Sequence, residues 1–313
     1  MSRKDRNLER SVTEPIVPVA ETDAEVVESE PTSTLVASMA ETVRGLGFRP
    51  GPADPRDQHF GARIGSDAAD PPASASNRDL VRHVLDQLSV ESCIANAGAA
   101  QLACEFARLG VDAPDVARLF AYFGLRAIAG DQYQDVGGYV RNFYVALNRF
   151  GFCAEHTYPY SADLTIVNAQ PTERAYMEAF ANRIRVGYYR IDFGDMTIGT
   201  LSNLQYARKR AVQQAVARRH TVVFGTAVDL DTFPKVRGTG LVDPPATSAR
   251  VGGHAMLIVE YDQDGVTVLN SWGTGSGEGG FVRLSWSYIL DPRTSDMWVM
   301  ELESAPKFYG GPK

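Results

Sequence analysis

The sequence contains few cysteines, no long apolar runs and no excess of positive charge. Each of these shortages excludes some classes of protein. Three cysteines in 313 residues are too few, and odd in number, for a disulfide framework, so a reducing compartment is expected. The net charge of -7 disfavours nucleic acid and anionic membranes as partners, since neither would meet a basic surface. No apolar run approaches the roughly 20 residues that span a bilayer, and the first residues lack the apolar stretch of a signal peptide. We therefore predict a cytoplasmic protein.

Apolar content and its spacing divide the chain into four stretches. Residues 1–45 are rich in Glu, Ser, Thr and Pro, which is typical of a disordered acidic tail. Residues 46–78 are dense in Gly, Pro and Asp, which predicts an extended leader. Residues 79–303 carry the apolar patterns of a folded domain, and residues 304–313 form a short C-terminal tail.

Inside the folded domain, helical patterns come first and strand patterns follow. The helical patterns cover residues 93–109, 112–129, 138–150 and 204–219, and the strand patterns cover residues 221–228, 255–261, 266–269, 280–284 and 297–301. This order predicts an α+β fold rather than an alternating parallel sheet.

Two of the strand patterns form a hairpin that is bracketed by a histidine and an asparagine. The turn at residues 262–265, with Gly265 expected at a positive φ, returns Asn270 to the neighbourhood of His254. Gly252 and Gly253 remove two side chains beside the histidine, which leaves room for another chain to approach closely. Taken alone, the hairpin favours a packed histidine, and a catalytic interpretation needs a further partner.

That partner is Cys93, at the predicted start of an alanine-rich helix. The helix dipole and backbone N–H groups there lower the pKa of a thiol, and an imidazolium from His254 would complete a nucleophilic ion pair. The side-chain oxygen of Asn270 can hold the imidazole without adding charge. An oxyanion also needs donors, and the Cys93 N–H and the Gln87 amide can supply two. The alternative for Cys93 is a buried small apolar residue, which is also our interpretation of Cys104 and Cys153.

These residues stand in strings that resemble the papain-type (C1 family) cysteine peptidases. The matching strings lie within residues 80–303: NSWGTG, GGHAMLIVEYD, GEGGFVRL and DVGGYVRNFYVALNRFGFCAEHTYPY. The leader string FRPGPADPRD resembles leaders of stand-alone bacterial members. The resemblance implies a two-lobed fold with a helical lobe over residues 79–182 and an antiparallel β-barrel-like lobe over residues 183–303. The active-site cleft would lie between the two lobes.

The resemblance also implies a role for each residue of the candidate site. Cys93 would be the nucleophile, His254 the general base, Asn270 its orienting residue and Gln87 the oxyanion-hole amide. Trp272 would shield the Asn–His hydrogen bond from water.

The chain departs from the family pattern at three positions. Leu88 replaces the glycine after the glutamine, Ser276 stands where a second tryptophan is common, and Glu91 stands where glycine usually precedes the nucleophile by two residues. Glu91, Gly138 and Ala255 are expected to contact substrate. Gly138 would pair with its backbone, unless it belongs only to a capping turn, and Glu91 would receive a basic side chain, unless it turns to solvent.

The resulting prediction is a cysteine-type peptidase that hydrolyses peptide bonds through an acyl-enzyme. Its partner would be a peptide or protein substrate. No cofactor is predicted, and no metal site either, because the histidines lack ligand spacing. Two alternatives stay open: an amidase, isopeptidase or acyltransferase with the same triad, and a non-catalytic peptide-binding module.

Overall fold

The computed structural model of the chain describes residues 44–65, 69–191 and 201–302. The helices are α1 (Phe60–Ile64), α2 (Cys93–Arg108), α3 (Arg118–Ala129), α4 (Val140–Phe150), α5 (Leu164–Val167), α6 (Glu173–Ala181), α7 (Leu201–Ala217) and α8 (Trp286–Ile289). The strands are β1 (Gln58–His59), β2 (Ala75–Ser76), β3 (Val186–Arg190), β4 (Val222–Asp229), β5 (Leu241–Val242), β6 (Val251–Tyr261), β7 (Gly265–Leu269), β8 (Phe281–Ser285) and β9 (Ser295–Leu302). Apart from Arg44 and Gly45, the predicted acidic tail lies outside the described residues, and so does the C-terminal tail.

The described strands form one sheet, in the order β1-β3-β9-β4-β6-β7-β8-β5, with β2 paired to the side of β6. The central pairings are antiparallel, and the outer pairs β1–β3 and β5–β8 are parallel. The α+β class is confirmed, because a group of helices precedes most of the sheet along the chain. Among the described residues the sheet is open at its ends rather than closed into a barrel.

Helix α2 is the element that joins the helical part of the fold to the sheet. It packs on β6 as well as on α3 and α4, and its small side chains allow this close packing on several sides. At Gly98 a β-carbon would meet the ring of Phe143 from α4. The start of α2 therefore lies beside β6, the strand that carries His254.

Helix α3 begins at Arg118, six residues later than the sequence pattern predicted. The preceding residues pair with another segment instead, since Val116 bridges to Ala154 and the Ala117 N–H donates to the Cys153 carbonyl. The carboxylate of Glu155 accepts from the Arg118 N–H at 3.0 Å, so a distant side chain starts the helix.

Gly265 does not have the positive φ that the turn pattern predicted. It is the first residue of β7, and a β-carbon there would overlap the Leu284 carbonyl oxygen of β8. The close approach of two strands, rather than a left-handed turn, requires glycine at this position.

Candidate active site

Cys93 is the first residue of α2, as predicted, and its side chain is fully buried. Burial raises the pKa of the Cys93 thiol to about 12, and the nearby Glu91 carboxylate adds to the shift. Backbone N–H groups of Ala255 and Ile94 at the sulfur oppose that rise in pKa. The contact with Ala255 places the residue that follows His254 against the sulfur. In this covered state the thiol is neutral, because the loss of solvent outweighs the helix N-terminus.

His254 lies in β6 and is also fully buried. Its Nε2 is 2.8 Å from the side-chain oxygen of Asn270, as the sequence predicted for this pair. Its Nδ1 has no hydrogen-bond partner among the described residues. Burial lowers the pKa of His254 to about 4, and the Asn270 bond opposes the shift. The imidazole is therefore neutral as well.

Asn270 is held in one orientation by two serines. The backbone N–H of Ser271 donates to its side-chain oxygen at 2.8 Å, and its amide donates to Ser276 Oγ at 2.9 Å. The ring of Trp272 stacks on the His254 imidazole with centroids 4.6 Å apart. Ser276, noted in the sequence only as a departure from the family pattern, thus fixes the amide that holds the histidine.

Gln87 is buried, and its side-chain amide has a defined direction. Its oxygen accepts from Ser271 Oγ at 2.5 Å, while its nitrogen donates to the carbonyls of Val90 at 2.8 Å and Leu46 at 3.2 Å. The backbone N–H of Cys93 donates to the same Leu46 oxygen at 3.3 Å. The two donors that the sequence proposed for an oxyanion therefore converge on one oxygen atom.

That oxygen belongs to residues 44–51, the last two residues of the predicted tail and the first six of the leader, which we call the cleft segment. The segment is hydrogen-bonded to both the helical part and the sheet: the Gly45 N–H donates to the Leu88 carbonyl, and the Phe48 N–H donates to the Gly253 carbonyl. The indole N–H of Trp272 donates to the Gly45 carbonyl at 3.2 Å. With this segment in place, the thiol and the imidazole are both closed off from solvent.

Gly138 pairs with the cleft segment through both of its backbone groups. Its N–H donates to the Gly47 carbonyl at 2.8 Å, and its carbonyl accepts from the Arg49 N–H at 2.9 Å. Phe48 is consequently bridged to Gly138 in parallel orientation. The backbone of Gly138 thus faces an extended chain in the cleft.

The predicted effect of the glycine pair before His254 is confirmed. A β-carbon on Gly252 would overlap the side chain of Leu46, and one on Gly253 would overlap the carbonyl oxygen of Phe48. The missing side chains admit a second chain at van der Waals distance, and here that chain is the protein's own leader.

Glu91 is half-buried beside the cleft segment. Its backbone N–H donates to a carboxylate oxygen of Asp135 at 3.1 Å, and the Tyr122 hydroxyl donates to the same oxygen at 2.6 Å. Burial raises the pKa of Glu91, and the nearby charge of Asp135 adds to the rise. Since a β-carbon on Gly47 would overlap the Glu91 carbonyl oxygen, the two backbones lie in direct contact.

The other two cysteines, Cys104 and Cys153, are not part of this cluster. Cys104 and Cys153 are buried and unpaired, as expected for packing residues.

Within the described ranges no group of three acidic, histidine or cysteine side chains is placed to hold a metal ion. In the same ranges no helix has both the length and the apolar composition needed to cross a bilayer.

Comparison with known proteins identifies the family. The model of the papain family cysteine proteases matches residues 129–290, a range that includes His254 and Asn270 and begins after Cys93. An uncharacterized peptidase C1-like protein of Acanthamoeba polyphaga mimivirus is 30% identical over 230 residues, which cover 71% of this chain and 70% of that protein. A cathepsin L-like proteinase of Fasciola hepatica is 31% identical over 153 residues, 48% of this chain and 40% of that protein.

A solved structure agrees with these sequence matches. Xylellain, a cysteine protease from Xylella fastidiosa, superposes with a TM-score of 0.70 at 26% identity, covering 84% of this chain and 98% of that one. The family model spans more than half of the chain, and the fold and the buried Cys, His and Asn cluster accord with it. The chain belongs to the papain family of cysteine proteases.

Proposed function

We propose that the protein hydrolyses peptide bonds through a Cys93–His254–Asn270 triad, with Gln87 and the Cys93 N–H as the oxyanion hole. The observation that carries this proposal is the convergence of both donors on the Leu46 carbonyl oxygen at the start of α2. A substrate carbonyl in that position would have its developing negative charge stabilised by the same two groups.

The proposed reaction has two steps, acylation of Cys93 and hydrolysis of the thioester. The thiolate sulfur of Cys93 attacks the substrate carbonyl carbon, and the oxygen takes the electron pair in the oxyanion hole. When the carbon–nitrogen bond breaks, the imidazolium of His254 gives its proton to the leaving amine and a thioester remains. His254 then takes a proton from water as the oxygen of that water adds to the thioester carbon, and breaking of the carbon–sulfur bond releases the acid and leaves the Cys93 thiolate with the His254 imidazolium. Asn270 keeps the ring in position through both steps.

Turnover requires that the cleft segment leave its place. With the segment bound, burial keeps the thiol and the imidazole neutral. Once water and substrate enter, the proton can pass from Cys93 to His254, and this transfer takes up no proton from the solvent. Opening of the cleft and formation of the ion pair are therefore coupled.

Three residues are proposed to contact substrate. Gly138 already pairs through both backbone groups with an extended chain, and the Ala255 N–H is near enough to Cys93 to lower the pKa of the thiol. Glu91 lies against Gly47, the residue next to the carbonyl in the oxyanion hole. Its carboxylate is close enough to Cys93 to influence the pKa of the thiol.

Glu91 is expected to favour substrates with a basic side chain next to the scissile bond. A half-buried carboxylate that meets Arg or Lys would raise kcat/KM by about ten- to a hundredfold over a matched Leu peptide. Glu91→Gln keeps the shape and removes the charge, so the Arg-to-Leu ratio should fall towards one. The measurement is kcat/KM on matched Arg, Leu and Glu peptides.

The control for this substitution is Glu173→Gln, which neutralises an exposed carboxylate in the first turn of α6. It should leave the Arg-to-Leu ratio unchanged. Equal ratios in wild type and Glu91→Gln would show that Glu91 has no part in recognition, and would not affect the triad.

The direct test of hydrolysis is to incubate the protein with a peptide library and identify the products by mass spectrometry. New carboxyl termini indicate hydrolysis. If an added amine is incorporated in place of water, the protein is instead an acyltransferase that uses the same triad. Slow reaction of Cys93 with an alkylating reagent at mildly acidic pH, even after the cleft segment is removed, would favour a non-catalytic binding module.

We also propose a cytoplasmic location and peptide or protein partners rather than nucleic acid or membrane. The unpaired state of the three cysteines and the acidic net charge support this proposal. Fractionation of cells that express the full chain would test it.

A further inference from the structure

The loop between Gln87 and Cys93 carries both the oxyanion amide and the nucleophile, yet its backbone is strained. Leu88 has a φ of 53°, in the left-handed region that favours glycine. The sequence has leucine here where the family pattern has glycine. A loop that holds an unfavourable conformation needs contacts from outside the loop to keep it.

Tyr160 supplies two of those contacts from a separate segment of the chain. Its hydroxyl donates to the Gln87 carbonyl at 2.9 Å and is 2.6 Å from Ser92 Oγ. Ser92, which is fully buried, is the residue directly before the nucleophile. One hydroxyl therefore joins the residue that carries the oxyanion amide to the residue next to Cys93.

Asn96, one turn into α2, secures the far end of the same loop. Its amide donates to both the carbonyl and the hydroxyl of Ser92 at 3.0 Å. Its side-chain oxygen accepts from Arg118 at 3.0 Å, so its direction is fixed as well.

Arg118 holds the near end of the loop and the tyrosine together. Its guanidinium donates to the Asp86 carbonyl at 3.1 Å and to Glu155 at 2.8 Å. The same group lies 3.9 Å from the centroid of the Tyr160 ring. A planar group with several donors can bind a carbonyl, a carboxylate and an aromatic face at once, which a lysine cannot.

We propose that Tyr160 and Arg118 are positioning residues, which fix the Gln87 amide relative to the Cys93 sulfur and N–H. Tyr160 bonds to the Gln87 carbonyl and to Ser92 Oγ, and Arg118 bonds to the Asp86 carbonyl and to Asn96, rather than to the thiol. Their effect on the reaction would therefore pass through the loop. This proposal rests on the proposed function of Cys93 and Gln87 in catalysis.

The test is Tyr160→Phe, which keeps the ring under Arg118 and removes only the hydroxyl. The expected result is a fall in kcat of about tenfold, with KM changed less than twofold, because a misplaced donor weakens the oxyanion more than the bound substrate. Alkylation of Cys93 by iodoacetamide should fall by less than twofold, since that reaction develops no oxyanion. Arg118→Lys should act in the same direction.

The matched control is Tyr261→Phe, which also removes a buried hydroxyl that donates to a backbone carbonyl, that of Pro72 at 2.8 Å. It should leave kcat unchanged, although it loses a comparable hydrogen bond. An equal fall in kcat for both variants would overturn the proposal and show a general effect on the fold. An equal fall in alkylation and in kcat for Tyr160→Phe would also overturn it, because the hydroxyl would then act on the thiolate.

A further measurement does not depend on turnover. Hydrogen exchange of the Gln87 side-chain amide, identified by the loss of its NMR signal in Gln87→Glu, should be at least about tenfold faster in Tyr160→Phe. It should be unchanged in Tyr261→Phe. If wild type showed no hydrolysis, the proposed function would fail, while this exchange rate would still decide the positioning role. Unchanged exchange in Tyr160→Phe would refute that role.

Discussion

Replacement of Cys93 by alanine is expected to abolish peptide hydrolysis, with a loss in kcat/KM of at least about a thousandfold. In the proposed mechanism Cys93 alone forms the acyl-enzyme, while His254 transfers the proton and Asn270 orients the imidazole. His254→Ala should have a comparable effect. The double variant should be no worse than either single variant, since the two residues act as one unit. The measurement is kcat/KM on a cleaved library peptide.

Cys104→Ala is the matched control for this loss. Cys104 lies on the same helix, three turns beyond Cys93, and is also buried and unpaired. It should keep wild-type activity, and both variants should unfold within about 1–2 kcal/mol of wild type because each deletes one small buried sulfur. Activity of Cys93→Ala near that of Cys104→Ala would show that another residue is the nucleophile.

The sequence predicts those elements whose apolar pattern is long and regular. α2, α4 and the strands β4, β7, β8 and β9 lie within two residues of their predicted ranges, because each presents a buried face to the core, whereas β6 begins at Val251, four residues earlier than predicted. The start of α3 was placed wrongly, since its first N–H is satisfied by Glu155 from another segment. The strand β3 went unpredicted as well, because it is short and its pairing with β9 is far away in the sequence.

In the candidate site, too, the sequence predicts some features and not others. The hairpin is enough to predict that Asn270 lies near His254, whereas the placement of Gln87 and Cys93 beside them is implied by the resemblance to the papain family. The contributions of Ser276 and of the leader could not be predicted from the sequence. A serine among polar loop residues carries no periodic signal, and the leader is held by backbone hydrogen bonds, which leave no side-chain pattern in the sequence.

A single methyl group on Gly47 is expected to open the cleft. Gly47 has a φ of 108°, and a β-carbon there would overlap the Glu91 carbonyl oxygen, so Gly47→Ala is strained in the bound position and free of strain once the segment leaves. A penalty of about 1.4–3 kcal/mol against the closed state would raise the open fraction by about 10- to 150-fold while that fraction is small. Both kcat/KM and the rate of Cys93 alkylation should rise by that factor.

The control is Gly61→Ala, in the same leader, where a β-carbon would meet no neighbouring atom and the φ is not positive. It should leave both rates unchanged. Deletion of residues 1–43 keeps the cleft segment and should also leave them unchanged, whereas deletion of residues 1–51 should raise them at least as far as Gly47→Ala does. A synthetic peptide of residues 44–51 should then inhibit the shortened protein competitively. If Gly47→Ala folds as wild type by circular dichroism and both rates stay at the wild-type value, the cleft segment does not limit access to Cys93.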